Sequence, residues 1–205
     1  MKLAVVFEHW HLGDGNYPAF AVGDAARLSF ELDVLASEPA APDAPESVRQ
    51  LRDAEYEVTA SVLRLYDDGL NSQFPVFEAA WLRFYSPSQS VAGLAQGSRV
   101  RLRGTLALDH YLWVEFLDRY PDPPDLFYNV RVASVRRVAI PAQFVHRDGR
   151  SMSHPASIAP GSYEASDLEE VRAVEETGAG PAFSLLDLEL LSAGEGPERP
   201  TFYGA

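Results

Sequence analysis

Gly97-Ser98-Arg99-Val100-Arg101-Leu102-Arg103-Gly104-Thr105-Leu106-Ala107-Leu108 is the stretch whose reading decides the fold. Val100, Leu102, Leu106 and Leu108 alternate with Arg99, Arg101, Arg103 and Thr105, the period-two pattern of a strand with one apolar and one wet face. A Gly-Ser turn opens it. Gly104 stands in the apolar row.

The chain on either side continues in strands. Upstream, Tyr56, Val58, Ala60 and Val62 alternate with Glu57, Thr59 and Ser61, and the phase slips at Val62-Leu63. A β-bulge in a long curved strand produces such a slip. Asp67-Asp68-Gly69 turns the chain, Val76–Tyr85 reads as one strand with aromatics on both faces, and Ser88–Gln96 leaves room for two helical turns at most. Downstream, Asp109-His110 reads as a hairpin turn and Tyr111–Phe116 as its return. Pro121-Asp-Pro-Pro-Asp125 is a rigid turn, and Phe127–Ile140 is a final strand that Pro141 stops.

This order of strands over residues 55–140 resembles an OB-fold, a small five-stranded Greek-key barrel. The resemblance rests on the kinked Tyr56–Tyr66, on Val76–Tyr85, on the Gly97–Leu106 strand with its inner Gly104, and on Tyr128–Val138. It is topological and contains no catalytic motif. The expected fold is mainly β, an antiparallel barrel or sandwich, OB-like in the middle, with a short acidic C-terminal helix.

The flanks extend the β pattern. Leu3–Trp10 reads as a strand and His11–Pro18 as a loop, after which Ala26, Leu28, Phe30, Leu32 and Val34 alternate with polar residues. Residues 38–54 open with Glu38-Pro-Ala-Ala-Pro-Asp-Ala-Pro45 and read as a Pro/Ala-rich linker with a helical turn near Ser47–Asp53. Ser166-Asp-Leu-Glu169 is a capping box for a helix carrying Leu168, Val171 and Val174 on one face. Phe183–Leu191 alternates like a strand, although its leucines without β-branching also suit a helix. The expected organisation is thus residues 1–37, a linker 38–54, a barrel 55–142 and a tail 143–205.

Composition narrows the chemistry. The 205 residues contain no cysteine, which excludes thiolate nucleophiles, disulfides and Cys-ligated metals and suits a cytoplasmic protein. No apolar run reaches the roughly 18 residues of a membrane span. The first strand's short apolar run also falls below the roughly seven residues of a secretory core. The formal charge is −13. Residues 55–150 balance eleven basic against eleven acidic residues, whereas residues 151–205 hold two and ten. Such a field repels phosphate backbones, so nucleic acid is disfavoured overall and a basic protein partner is favoured.

Three constellations remain. Arg99, Arg101 and Arg103 share a strand face, and with Trp81 and Trp113 they supply the basic groove and stacking rings of a single-strand binder. Equally, alternate arginines form the solvated face of an amphipathic strand. His9 and His11, two apart at a strand end, would project from one face and begin a divalent-metal site, with His110, His146 or His154 as a further ligand. Otherwise they are hydrogen-bonded structural histidines. Glu169, Glu170, Glu175 and Glu176 make the C-terminal segment a candidate partner-binding face or a solvated one. His146, Asp148, Ser151, Ser153 and His154 hold the residue types of a triad, but a single loop does not fix them as one. The expected function is therefore a non-enzymatic binding or interaction module with a protein partner and no resident cofactor. A single-stranded nucleic-acid binder and a metal-dependent enzyme using His9 and His11 are the alternatives.

Overall fold

The computed structural model describes residues 1–67, 73–87, 93–109, 113, 122–138, 168–174, 183–192 and 194–201. In chain order these form β1 (Lys2–Glu8), a single helical turn α1 (Trp10–Gly13), β2 (Ala25–Leu28), β3 (Phe30–Pro39), β4 (Ser47–Arg52) and β5 (Glu55–Asp67). There follow β6 (Gln73–Ala79), β7 (Leu82–Tyr85), β8 (Arg99–Leu108), β9 (Tyr128–Val138), β10 (Leu168–Val171) and β11 (Phe183–Leu190). The chain divides into two compact units, Leu28–Phe127 and Met1–Arg27 with Tyr128–Ala205.

The Leu28–Phe127 unit is a closed five-stranded barrel. β8 pairs antiparallel with β3 on one side and β5 on the other. β5 continues to β6, and β6 to β7, also antiparallel. β7 closes the ring on β3 as a parallel neighbour, with Glu31 opposite Tyr85. β4 adds to the outer side of β5. Val100, Leu102 and Leu106 are buried, as their alternation requires, together with Phe30, Leu32, Val34, Val58, Ala60 and Val62. Each such Val, Leu or Phe side chain contributes roughly 1.5–3 kcal/mol of transfer free energy. Gly104 is the corner of the barrel. A Cβ there would run into the Asp33 carbonyl oxygen, next to the register shift between Val34 and Ala36. The expected bulge in β5 is also present, between Val62 and Arg64.

The barrel is the expected architecture with different members. Tyr128–Val138 was the expected closing strand of residues 55–142, but Phe30–Pro39 takes that place. Alternation identifies a half-buried strand without naming its partner. Residues 38–54 are accordingly not a free linker: β3 runs on to Pro39, and Ser47–Arg52 is a strand rather than a helical turn. Val76–Tyr85 is not one strand but the hairpin β6–β7, turning at Ala80 and Trp81. Ala80 has a φ of 53°, and its N–H donates to Glu46 Oε2 at 2.9 Å. No glycine or asparagine marks that turn. It is held by a carboxylate from far away in sequence.

In the other unit β11 lies between β1 and β9, antiparallel to both, with β10 and β2 added to β9. Phe183, Ser184, Leu185 and Leu186 are all buried, so both faces of β11 are covered. That explains the run of leucines: they form a strand. The expected acidic helix is replaced as well. Leu168–Val171 is β10, paired with Val135–Val138 so that Glu169 faces Arg137 and Glu170 faces Arg136. Cross-strand pairing of opposite charges overrides the local capping signal. Glu175 and Glu176 lie outside the described residues, as do Tyr111–Leu112 and 114–116 of the expected return strand.

Candidate functional site

The arginine row stands where its strand period puts it. Arg101 and Arg103 are exposed on β8, and Arg99 is half-buried. Each is already engaged within the barrel unit. Arg99 donates to the Ala44 carbonyl and lies 3.5 Å from Glu46. Arg101 Nη1 donates to Glu38 Oε1 at 2.8 Å, and Arg103 Nε to Glu55 Oε1 at 2.6 Å. Glu57 takes a 2.7 Å bond from Arg49. That bond, with Arg101 and Arg103 nearby, holds the Glu57 carboxyl below its usual range. The row is a charge-alternating ladder. Because β3 and residues 40–54 belong to this unit, it holds eight basic and sixteen acidic residues. The neutral segment expected from sequence becomes an acidic barrel.

The two candidate stacking rings differ. Trp81 sits half-buried in the β6–β7 turn. Trp113 is only 1% exposed and offers no face for a base. Its ring lies 6.0 Å from Tyr85 at 21° and 6.1 Å from Tyr66, in a cluster with Val76 and Leu126. Sequence alone could not distinguish an aromatic that fills a cluster from one that awaits a ligand.

His9 and His11 do not share a strand face. β1 ends at Glu8, His9 precedes α1 and His11 lies within it. His9 Nε2 bonds Ser184 Oγ at 2.8 Å. Burial, helped by Arg137, lowers its pKa to about 4, so the ring is neutral at pH 7. His11 is enclosed by aromatic rings: Trp10 at 3.9 Å, Tyr17 at 5.4 Å and Phe7 at 5.7 Å. Among the described residues no three His, Asp or Glu side chains converge as a metal would need. His110, His146, Asp148, Ser151, Ser153 and His154 lie outside them.

Of the acidic tail residues, Glu169 accepts from Arg137 Nη2 at 2.6 Å, and Glu170 is exposed on β10. Both are strand residues, so they do not form the helical acidic face expected with Glu175 and Glu176.

The densest polar arrangement was not singled out from sequence. Tyr85 Oη donates to Glu31 Oε2 at 2.5 Å and also bonds Asp109 Oδ1. Ser29 Oγ donates to Asp109 Oδ2 at 2.8 Å, and the Trp113 N–H donates to Asp109 Oδ1 at 3.2 Å. Glu31, Tyr85, Asp109 and Ser29 are all at most 1% exposed. Burial chiefly, with Glu31 alongside, raises the Asp109 pKa to about 6 against the lowering effect of its hydrogen bonds. Burial and the two carboxylates push the Tyr85 hydroxyl well above its ordinary value. Asp109-His110 was expected as a hairpin turn, of which His110 lies outside the described residues. Asp109 is fully buried just past β8, where Tyr85, Ser29 and the Trp113 N–H bond its carboxyl.

Compared with known protein families, curated proteins and solved structures, the chain matches none.

Proposed function

We propose that this chain is a non-enzymatic β-barrel interaction module, acting in the cytoplasm, whose partner is a basic protein. The observation that carries this reading is the arginine ladder of β8, in which Arg101 and Arg103 are bonded to Glu38 and Glu55. A nucleic acid would have to displace those carboxylates and approach a unit with twice as many acids as bases. A basic surface meets the opposite balance and is drawn in by long-range attraction.

Fluorescence anisotropy with labelled single-stranded DNA and RNA at low salt tests the contrast directly. The reading expects no salt-sensitive binding to either, and salt-sensitive co-purification of a basic protein from the native host. Tight oligonucleotide binding weakened by Arg101→Glu would establish the single-strand alternative instead. Stoichiometric metal in the purified protein, with turnover lost in His9→Ala, would establish the enzymatic one.

A further inference from the structure

We propose that residues 194–201 are a strap seated on a peptide-binding edge of β2. When the strap lifts, that edge takes an extended segment of another protein, one that presents a serine or threonine to Arg27. Resting on the reading of this chain as a protein-binding module, the edge gives that module a place to dock, whatever the partner's charge.

The edge follows from the pleat. Along an antiparallel strand the N–H and carbonyl of one residue point to the same side, and the side alternates from residue to residue. The Asp24 carbonyl accepts from the Val132 N–H of β9 at 2.9 Å, so Arg27, an odd number of residues further on, presents its backbone to the opposite side. Thr201 is bound there. Its N–H donates to the Arg27 carbonyl at 2.9 Å, and its Oγ1 accepts from the Arg27 N–H at 2.9 Å. A neighbouring strand would offer a backbone carbonyl at that second position; here a hydroxyl stands in for it.

The path of the strap shows how it arrives and why it can leave. The Leu191 N–H donates to the Asn129 carbonyl at 2.9 Å, which continues the pairing of β11 with β9. Ser192 and Glu195 then close a turn. The Glu195 N–H donates to the Ser192 carbonyl at 3.0 Å, and the Ser192 N–H to Glu195 Oε2 at 3.0 Å. From there the chain lies on Asn129 of β9, where a Cβ on Gly196 would come within 2.8 Å of the Asn129 Cγ, and it reaches β2 at Thr201. Gly196 and Arg199 precede prolines, which biases them to extended backbone. Pro197 and Pro200 themselves lack the N–H of a full ladder strand. Gly194-Glu-Gly-Pro-Glu-Arg-Pro-Thr201 contains no Leu, Ile, Val, Met or aromatic residue, and most of it is exposed. It is a tethered ligand with little hydrophobic hold, which a segment with better anchors displaces.

The experiment uses the full chain and the double variant Gly196→Val/Thr201→Pro, whose changes lie in the strap and leave β2 intact. A fluorescein-labelled peptide of residues 194–201 is titrated against each by anisotropy, at low and high salt, with hydrogen exchange at Arg27 measured alongside. The tether holds the strap at high local concentration in the parent. The variant should therefore bind the peptide at least tenfold more tightly, with little salt dependence, and its Arg27 amide should exchange at least tenfold faster. The same peptide with Thr201→Val should lose most of that binding. If circular dichroism shows that the double variant does not fold, Thr201→Val in the full chain decides by the same two readings. Equal binding by parent and variant, unchanged exchange at Arg27, or concentration-dependent dimers in place of peptide binding overturns the proposal. The peptide carries two Glu and one Arg, so its binding is distinct from the attraction of a basic partner. Absence of that partner on co-purification overturns only the earlier reading.

Discussion

The two units each bury an ionisable group, and the two groups respond to pH in opposite directions. In the unit built on β1 and β11, His9 is held neutral against Ser184, with its pKa down at about 4. Its unfolded counterpart titrates near 6.5, so between those values the unfolded chain binds more protons. That unit gains stability as pH rises from about 4 to 6.5 and loses it as pH falls. In the barrel, Asp109 is raised to about 6 from an ordinary value near 4. Here the folded chain binds more protons across the interval, so its contribution is full below about pH 4 and is lost as pH rises toward 6. One rule, that burial favours the neutral form, makes a base resist acid and an acid resist alkali.

Four substitutions break or sharpen this contrast. The largest effect is expected for Tyr85→Phe, which leaves two buried carboxyls without the hydroxyl between them. Chemical denaturation at pH 7 should show a loss on the order of 3 kcal/mol, smaller at pH 4.5 where Asp109 is protonated. His9→Gln comes next, at about 1–2 kcal/mol at pH 7. Hydrogen exchange in β1 and β11 should then lose its acid sensitivity between pH 6.5 and 4, while β7 and β8 are unaffected. Asp109→Asn keeps the shape and removes the charge. Its effect is mainly on slope: protection of β7 and β8 should no longer fall between pH 4 and 6. A slope unchanged in either variant would assign the pH response to other groups. The smallest effect is expected for Arg101→Gln, under about 1 kcal/mol and reduced further by salt, because the Glu38 pair is exposed. A larger loss would mean that the ladder of charges on β8 is cooperative rather than a set of solvated pairs.

The readable parts of the fold were those whose cause is local. The alternation of Val100, Leu102 and Leu106 and the slip at Val62 were legible because a pleated backbone turns every second side chain to one side wherever it goes. Gly104 was expected as a coiling point only through the resemblance to an OB-fold strand, in which an inner glycine permits a barrel corner. The Ala80 turn was not, because its N–H is satisfied by Glu46, thirty-four residues earlier. The acidic segment at Leu168 was misjudged because Arg136 and Arg137 stand opposite it only once β9 is in place.

By itself, then, the sequence determined that the chain is mainly β, that β8 has an apolar and a charged face, and that β5 slips at Val62. Only the tertiary structure decided that Phe30–Pro39 closes the barrel, that the arginines answer acids of neighbouring strands, and that Glu31, Tyr85 and Asp109 meet. The physical reason is one of range. Periodicity and turn chemistry act within a few residues, whereas strand pairing and buried side-chain hydrogen bonds join groups that only the folded chain brings together.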